Sequence, residues 1–231
     1  YPTVTKTRIL AGMAHTSRQQ VVRVDREADS TLEPRTVREL VIAARQYARV
    51  SDAVLISDYG YGAATPEILS SLGRLDGIPI TLDSRYRILS YCGVTYATPN
   101  EPEVEEALGI KIGYDRQKLL AAAEELMRRM KLQSLVITRG RDGMVAFARR
   151  HKPVDISIFG GDQVVDVTGA GDTVIATFTA AVGAGAGTEE AARLANYAGG
   201  IVVMKRGTAT VTRGELLAAL EQDLLHKPHH A

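Results

Sequence analysis

With 231 residues, 45% of them hydrophobic and 24% charged, the chain has room for one large globular domain or two small ones. A net charge of +1 argues against nucleic acid as the main partner, and the apolar stretches break off before the roughly 20 residues that a membrane span needs. Its single cysteine, Cys92, excludes an internal disulfide framework and, with no secretory signal at the start, fits a reducing cytoplasm.

In chain order, "TKTRILAG" and "RQQVVRVDRE" read as two strands of mixed polarity joined around "MAHTS". With many polar side chains on adjacent strands, residues 1–27 predict a β flap set apart from a core at 28–231. "EPRTVRELVIAARQYAR" predicts an amphipathic helix with Pro34 near its first turn. "DAVLISD" reads as a buried strand, "TPEILSSLGRL" as a helix, "IPITLDS" as a buried strand and "VTYATPN" as a short one. Helices follow at "EPEVEEALG" and "DRQKLLAAAEELMRRM". "SLVITRG" and "MVAFAR" are strands either side of a Gly-rich turn, and "KPVDISI" and "QVVDV" are two more. Helices over about 170–186, 189–204 and 214–225 complete the chain, and the His-rich end "HKPHHA" reads as a frayed tail. Buried strands alternating with helices predict an α/β fold, a mostly parallel sheet with helices on both faces.

Ligands of such sheets collect at the carboxyl ends of strands. Asp58, Asp83, Asn100, Thr138 and Asp166 all fall there. Each alone would pass as a turn former or helix cap, but five at one edge point to a site. The stretch "VVDVTGAGDTVIATF" adds a strand-to-helix corner in which Gly169 and Gly171 let a helix N-terminus approach an anion. Asp172, in that same first turn, suits a general base taking a proton from a hydroxyl as it attacks a phosphoryl group. The competing reading is that Asp172 only caps the helix and the glycines only allow tight packing. There is no P-loop, Val174 stands where a dinucleotide fingerprint needs its third glycine, and no zinc spacing occurs.

These residues carry a resemblance. "DVTGAGDTVIATF" resembles the second signature of the ribokinase-like (phosphofructokinase-B) carbohydrate kinases. "LISDYGYGAAT", "TPNEPEVEEALG", "VITRGRDGM" and "LANYAGGIVVMKRGTATV" are similar to further family blocks in the same order. Within the family, "PTVTKTRIL" followed by "RQQVVRVDRE" is most similar to the subgroup that phosphorylates heptose 7-phosphate at O1 for lipopolysaccharide precursors. The resemblance implies ATP and Mg²⁺ as cofactors and a sugar phosphate as acceptor. It implies Asp172 as base and Gly169, Ala170 and Gly171 as anion hole. Asn100 and Glu103 would organise magnesium, Glu103 indirectly; Thr138, Gly140 and Asn196 would contact the nucleotide. Asp166 and Thr168, with Gly207, resemble the monovalent-cation (potassium) loop of some members. Asp58, Asp83 and Arg85 would face the sugar. A homodimer through the flap strands is implied by analogy alone.

Departures keep alternatives open. "DSRYR", Asp83 to Arg87, stands where heptose kinases commonly read Asp-Pro-Lys-Gly, so Arg85 either offers a bidentate fork to a sugar phosphate or is a surface arginine. Tyr61 replaces a usual lysine, and Lys205 and Arg206 read as solvated. The resemblance starts inside the flap, so the first βαβ part of the family fold is expected to be missing. A catalytically silent nucleotide-binding protein, or a kinase for ribose, a fructose phosphate or a nucleoside, therefore remain alternatives.

Overall fold

The computed structural model describes residues 2–12, 19–27, 31–73, 75–160 and 165–226. The "MAHTS" connection, the proposed boundary at residues 27–28 and the "HKPHHA" tail fall wholly or partly outside them. Strands β1 (Thr5–Ala11) and β2 (Gln19–Arg26) form an antiparallel two-stranded sheet with a bulge between Ile9 and Leu10. In its register, Thr7 and Ile9 oppose Val24 and Val22 on one face, while Lys6 and Arg8 oppose Asp25 and Arg23 on the other. The second face is turned to the rest of the molecule, because Lys6 Nζ lies 5.9 Å from the ring centre of Tyr59 and 5.7 Å from that of Tyr61. Ile9, Val22 and Val24 on the outer face stay exposed.

The main sheet has six strands in chain order: β3 (Val54–Asp58), β4 (Ile80–Ser84), β5 (Tyr96–Ala97), β6 (Ser134–Thr138), β7 (Met144–Ala148) and β8 (Val154–Ile156). β3 to β6 are parallel, and β7 and β8 run antiparallel to their neighbours. Parallel pairing needs crossovers, supplied by α2 (Pro66–Ser71) between β3 and β4 and by α3 (Glu101–Leu108) and α4 (Arg116–Met130) between β5 and β6. β6 and β7 need only a tight turn, and Gly143 closes it at φ 75°. A Cβ there would stand 2.1 Å from the Ile156 carbonyl, so no other residue fits.

Strand alternation explains the two layers. On β6 and β7, Leu135, Ile137, Val145 and Phe147 point to one core with Leu119, Ala123 and Leu126 of α4. Val136, Met144 and Ala146 point to the other, against α5 (Ala170–Gly183) and α6 (Thr188–Val203). α1 (Pro34–Ala48) borders the first layer, and α7 (Arg213–His226) packs beside α6. Leu82, Leu126 and Leu135 are fully buried, and truncating any of them to Ala would cost about 2–5 kcal/mol. Thr81 and Thr179 hydrogen-bond each other inside this packing, and Thr179 also donates to the Ile175 carbonyl at 2.7 Å, so no hydroxyl is stranded.

The expected α/β class with helices on both faces is observed, with corrections at three elements. The "TPEILSSLGRL" helix ends early because Gly73 takes φ 71°, off the helix. "VTYATPN" contributes only Tyr96–Ala97 to the sheet. "QVVDV" is no strand over its described residues 165–167: the Val165 and Asp166 amides both donate to the Val203 carbonyl at the end of α6. Asp166 therefore does not sit at a strand end. No helix among the described residues is long and apolar enough to cross a membrane.

Candidate active site

The carboxyl ends of β3 to β6 and the first turns of α3 and α5 enclose two clefts. One is lined by Tyr59, Asp83, Arg85, Asn100, Glu103 and neighbours, the other by Gly140, Arg141, Val167, Ala170, Asn196 and Gly200 among others. They meet at Thr138, Gly171 and Val174. A ligand reaching from one to the other must pass the start of α5.

Gly169 precedes α5 at φ 79°, and no side chain among the described residues caps the helix. The Ala170 amide donates to the Val167 carbonyl at 3.2 Å, whereas the Gly171 and Asp172 amides have no partner among the described residues and, with the helix dipole, leave the start of α5 open. A Cβ on Gly171 would meet no protein atom within 4 Å, so the space that glycine keeps free belongs to the cleft. Asp172 follows, and its Oδ1 accepts a hydrogen bond from the Tyr59 hydroxyl at 2.8 Å.

The start of α3 is built differently. Asn100 Oδ1 accepts from the Glu103 amide and Glu103 Oε2 accepts from the Asn100 amide, both at 2.9 Å. Asn100 also bridges to Thr138 in parallel register, and the Thr138 amide donates to the Pro99 carbonyl at 3.0 Å, aligning the ends of β5 and β6. Arg139 Nε donates to Glu101 Oε2 at 2.6 Å, fixing the β6–β7 turn to α3.

Three carboxylates at this edge differ sharply. Asp58 is buried and accepts from the Gly60 amide, Ser84 Oγ, two nitrogens of Arg87 and Tyr91 Oη. Burial alone would raise its pKa, but the hydrogen bonds from Arg87, Tyr91 and Gly60 outweigh that and hold it below the usual range. Its oxygens are occupied by the protein itself. Asp83 lines the cleft with no hydrogen-bond donor among the described residues. Burial, then the charges of Glu103, Asp172 and Asp58, push it up to about 7. Burial likewise raises Glu103. This end of the first cleft thus gathers acidic side chains whose charges oppose one another.

The remaining expected residues are placed as follows. Arg85 lines the cleft, its guanidinium 5.4 Å from the centre of the Tyr86 ring; Arg87, not Arg85, pairs with Asp58. Asn196 lines the second cleft, while its amide donates to the Ser157 carbonyl at 2.8 Å. Asp166 accepts from the Thr168 amide at 2.9 Å and the Gly207 amide at 3.2 Å, joining the three residues expected in one loop site. The Thr168 hydrogen bonds hold the Asp166 carboxyl below its usual range. Sequence reasoning missed Tyr59, Arg87 and Tyr91. Only Tyr59 left a signal, standing directly after Asp58 at the carboxyl edge.

Known proteins resemble this chain throughout. The pfkB family carbohydrate kinase profile matches residues 2–213. "Bifunctional protein HldE" of Pelobacter propionicus is 41% identical over 219 residues, covering 93% of this chain and 43% of the relative. That of Nitrosococcus oceani is 40% identical over 237 residues, covering 97% of this chain and 48% of the relative. The chain thus spans less than half the length of these relatives. Among solved structures, Escherichia coli phosphofructokinase-2 in complex with potassium superposes with a TM-score of 0.73 at 17% identity, covering 87% of this chain and 66% of that one. Arabidopsis thaliana ribokinase complexed with ribose and ATP superposes with a TM-score of 0.65 at 21% identity, covering 83% and 60%. At such identities the structures establish the ribokinase-like fold alone.

Proposed function

The chain belongs to the pfkB family of carbohydrate kinases, and from that premise we propose that it transfers the γ-phosphoryl group of ATP to a sugar-phosphate hydroxyl, heptose 7-phosphate at O1. The observation that carries this reading is the hydrogen bond from Tyr59, on the wall of the first cleft, to Asp172, one residue after Gly171, where the two clefts meet. The Asp172 side chain itself lines an adjoining third cleft with Gly169 and Thr208. Nucleotide occupies the cleft of Gly140, Asn196 and Gly200, and the sugar occupies the cleft of Tyr59, Asp83 and Arg85. Asp172 takes the proton of the attacking hydroxyl as the oxygen–phosphorus bond forms and the bond to ADP breaks. The amides of Gly169 and Gly171 stabilise charge on the transferring oxygens, while the Ala170 amide is held by the Val167 carbonyl. Arg85 pairs with the acceptor's own phosphate.

Magnesium fits this cleft. No group of three or more His, Cys, Asp or Glu among the described residues could hold an ion directly, which suits an ion that keeps its waters and leans on nucleotide phosphates. Asn100 and Glu103 would organise it, and a cation there would relieve the repulsion between Asp83 and the neighbouring acids. When bound, it neutralises charge building on the phosphate oxygens. We assign potassium, if used, to the loop of Asp166, Thr168 and Gly207. A homodimer through the hairpin is supported by the outward face of Ile9, Val22 and Val24, each 44–49% exposed.

ATP turnover offered heptose 7-phosphate, fructose 6-phosphate and ribose in parallel tests the reading. Sugar-dependent ADP release, lost in Asp172→Asn, is the expected result and names the sugar. Full activity in Asp172→Asn would overturn the mechanism, and stoichiometric ATP binding without turnover would favour a silent nucleotide-binding protein.

A further inference from the structure

The base of a phosphoryl transfer must present one lone pair to one hydroxyl, yet the terminal torsion of an aspartate is broad and roughly two-fold. Something must choose the orientation of Asp172. Among the described residues a single side chain does so: Tyr59, whose hydroxyl donates to Oδ1 across 113 residues of sequence. Among the described residues Oδ2 accepts no such bond.

Tyr59 is itself held. The next residue, Gly60, turns at φ 83° and donates its amide to Asp58 Oδ1 at 2.8 Å. Asp58 in turn is fixed by Arg87 and Tyr91. Lys6 of β1 lies over the Tyr59 ring, so the hairpin presses on the same side chain. Burial first, and then the Asp172 carboxylate, raise the phenol's pKa above its ordinary value, which keeps the hydroxyl a donor at neutral pH.

We propose that Tyr59 is a positioning residue for the transfer: its hydroxyl fixes Asp172 through Oδ1 so that Oδ2 meets the acceptor's proton. This rests on Asp172 being the base.

The test is Tyr59→Phe in the full chain, which keeps the ring and removes only the hydroxyl. Misplacement of a catalytic group by about 1 Å can cost ~10²-fold, so kcat should fall about 10- to 100-fold. KM for ATP should stay within about 2-fold, and the loss should fall on kcat rather than on the sugar KM. In an Asp172→Asn background the same change should alter kcat by less than about 2-fold, because residues acting as a unit are not additive. Independently of turnover, the Tyr59 ¹³Cζ resonance in ¹³C-tyrosine-labelled protein should shift on Asp172→Asn. An unshifted resonance would overturn the proposal, as would a raised sugar KM with unchanged kcat, which would make Tyr59 a sugar contact. Loss of activity in Asp172→Asn with wild-type kcat in Tyr59→Phe removes this proposal alone. Full activity in Asp172→Asn removes the base and the proposal together.

Discussion

Helices α3 and α5 both begin at the carboxyl edge of the sheet, and their first turns are built in opposite ways. α3 closes on itself: Asn100 and Glu103 satisfy each other's amides. α5 starts from Gly169, which has no side chain with which to do the same. A first turn closed by its own sequence spends its side chains on its own amides, whereas one left open against a cleft keeps amides that can meet negative charge. The same contrast separates their acids, since Glu103 is tied to the backbone of its own helix and Asp172, among the described residues, is held by the Tyr59 hydroxyl from the loop after β3.

Four substitutions would break or sharpen that contrast. Asp172→Asn has the largest expected effect, lowering kcat by about 10²- to 10⁴-fold, the usual range for loss of a general base, with the melting temperature little changed. Gly171→Ala comes next. The added methyl meets no protein atom within 4 Å, so thermal melting should be wild type. Activity should nevertheless fall, by up to the roughly 10²- to 10³-fold that loss of one transition-state donor costs. A methyl tolerated in both assays would mean the open turn receives nothing.

Asp83 lies where the charges of the two helix starts meet, and its effect is one of pH. Folding raises its pKa from 3.8 to about 7, so the folded state binds the proton more tightly than the unfolded chain. The stability this contributes is complete below pH 3.8 and lost as pH rises through about 7. Asp83→Asn, always neutral, should therefore melt about 3–6 °C above the wild type at high pH, with the gap closing as pH falls. Calorimetry across that range checks it, and a gap independent of pH would remove the charge argument. The smallest effect belongs to α3: Asn100→Ala should cost about 1 kcal/mol, or about 2–4 °C in melting temperature.

How much of this could be read from sequence depended on the range of the interactions. The alternation of buried strands and helices is local pattern, and of the five residues it assigned to one edge it placed Asp58, Asp83, Asn100 and Thr138 correctly and Asp166 wrongly. The capping box spans four residues, Asn100 to Glu103, and a cap was already legible as the competing reading of Asn100. Asp58 was legible as an edge residue but not as an occupied one, because its partners Arg87 and Tyr91 lie 29 and 33 residues away. "QVVDV" misled because β-branched alternation reports a half-buried surface, whereas the described amides of Val165 and Asp166 found a helix end instead of a neighbouring strand.

The five hydrogen bonds converging on Asp58 have a consequence for when disorder is removed. They join the end of β3 to the turn after β4, and the Arg85 amide adds a bond to the Asp58 carbonyl. The loop tip that carries Tyr59 is thereby immobilised while the sheet forms. Fixing a residue's backbone costs about 1–2 kcal/mol in entropy, and here that cost falls on folding, once, rather than on every encounter with a substrate. The wall of the cleft that Tyr59 lines waits in a single shape. Slow exchange of the Gly60 amide, at a rate shared with the core strands, would be its signature in solution.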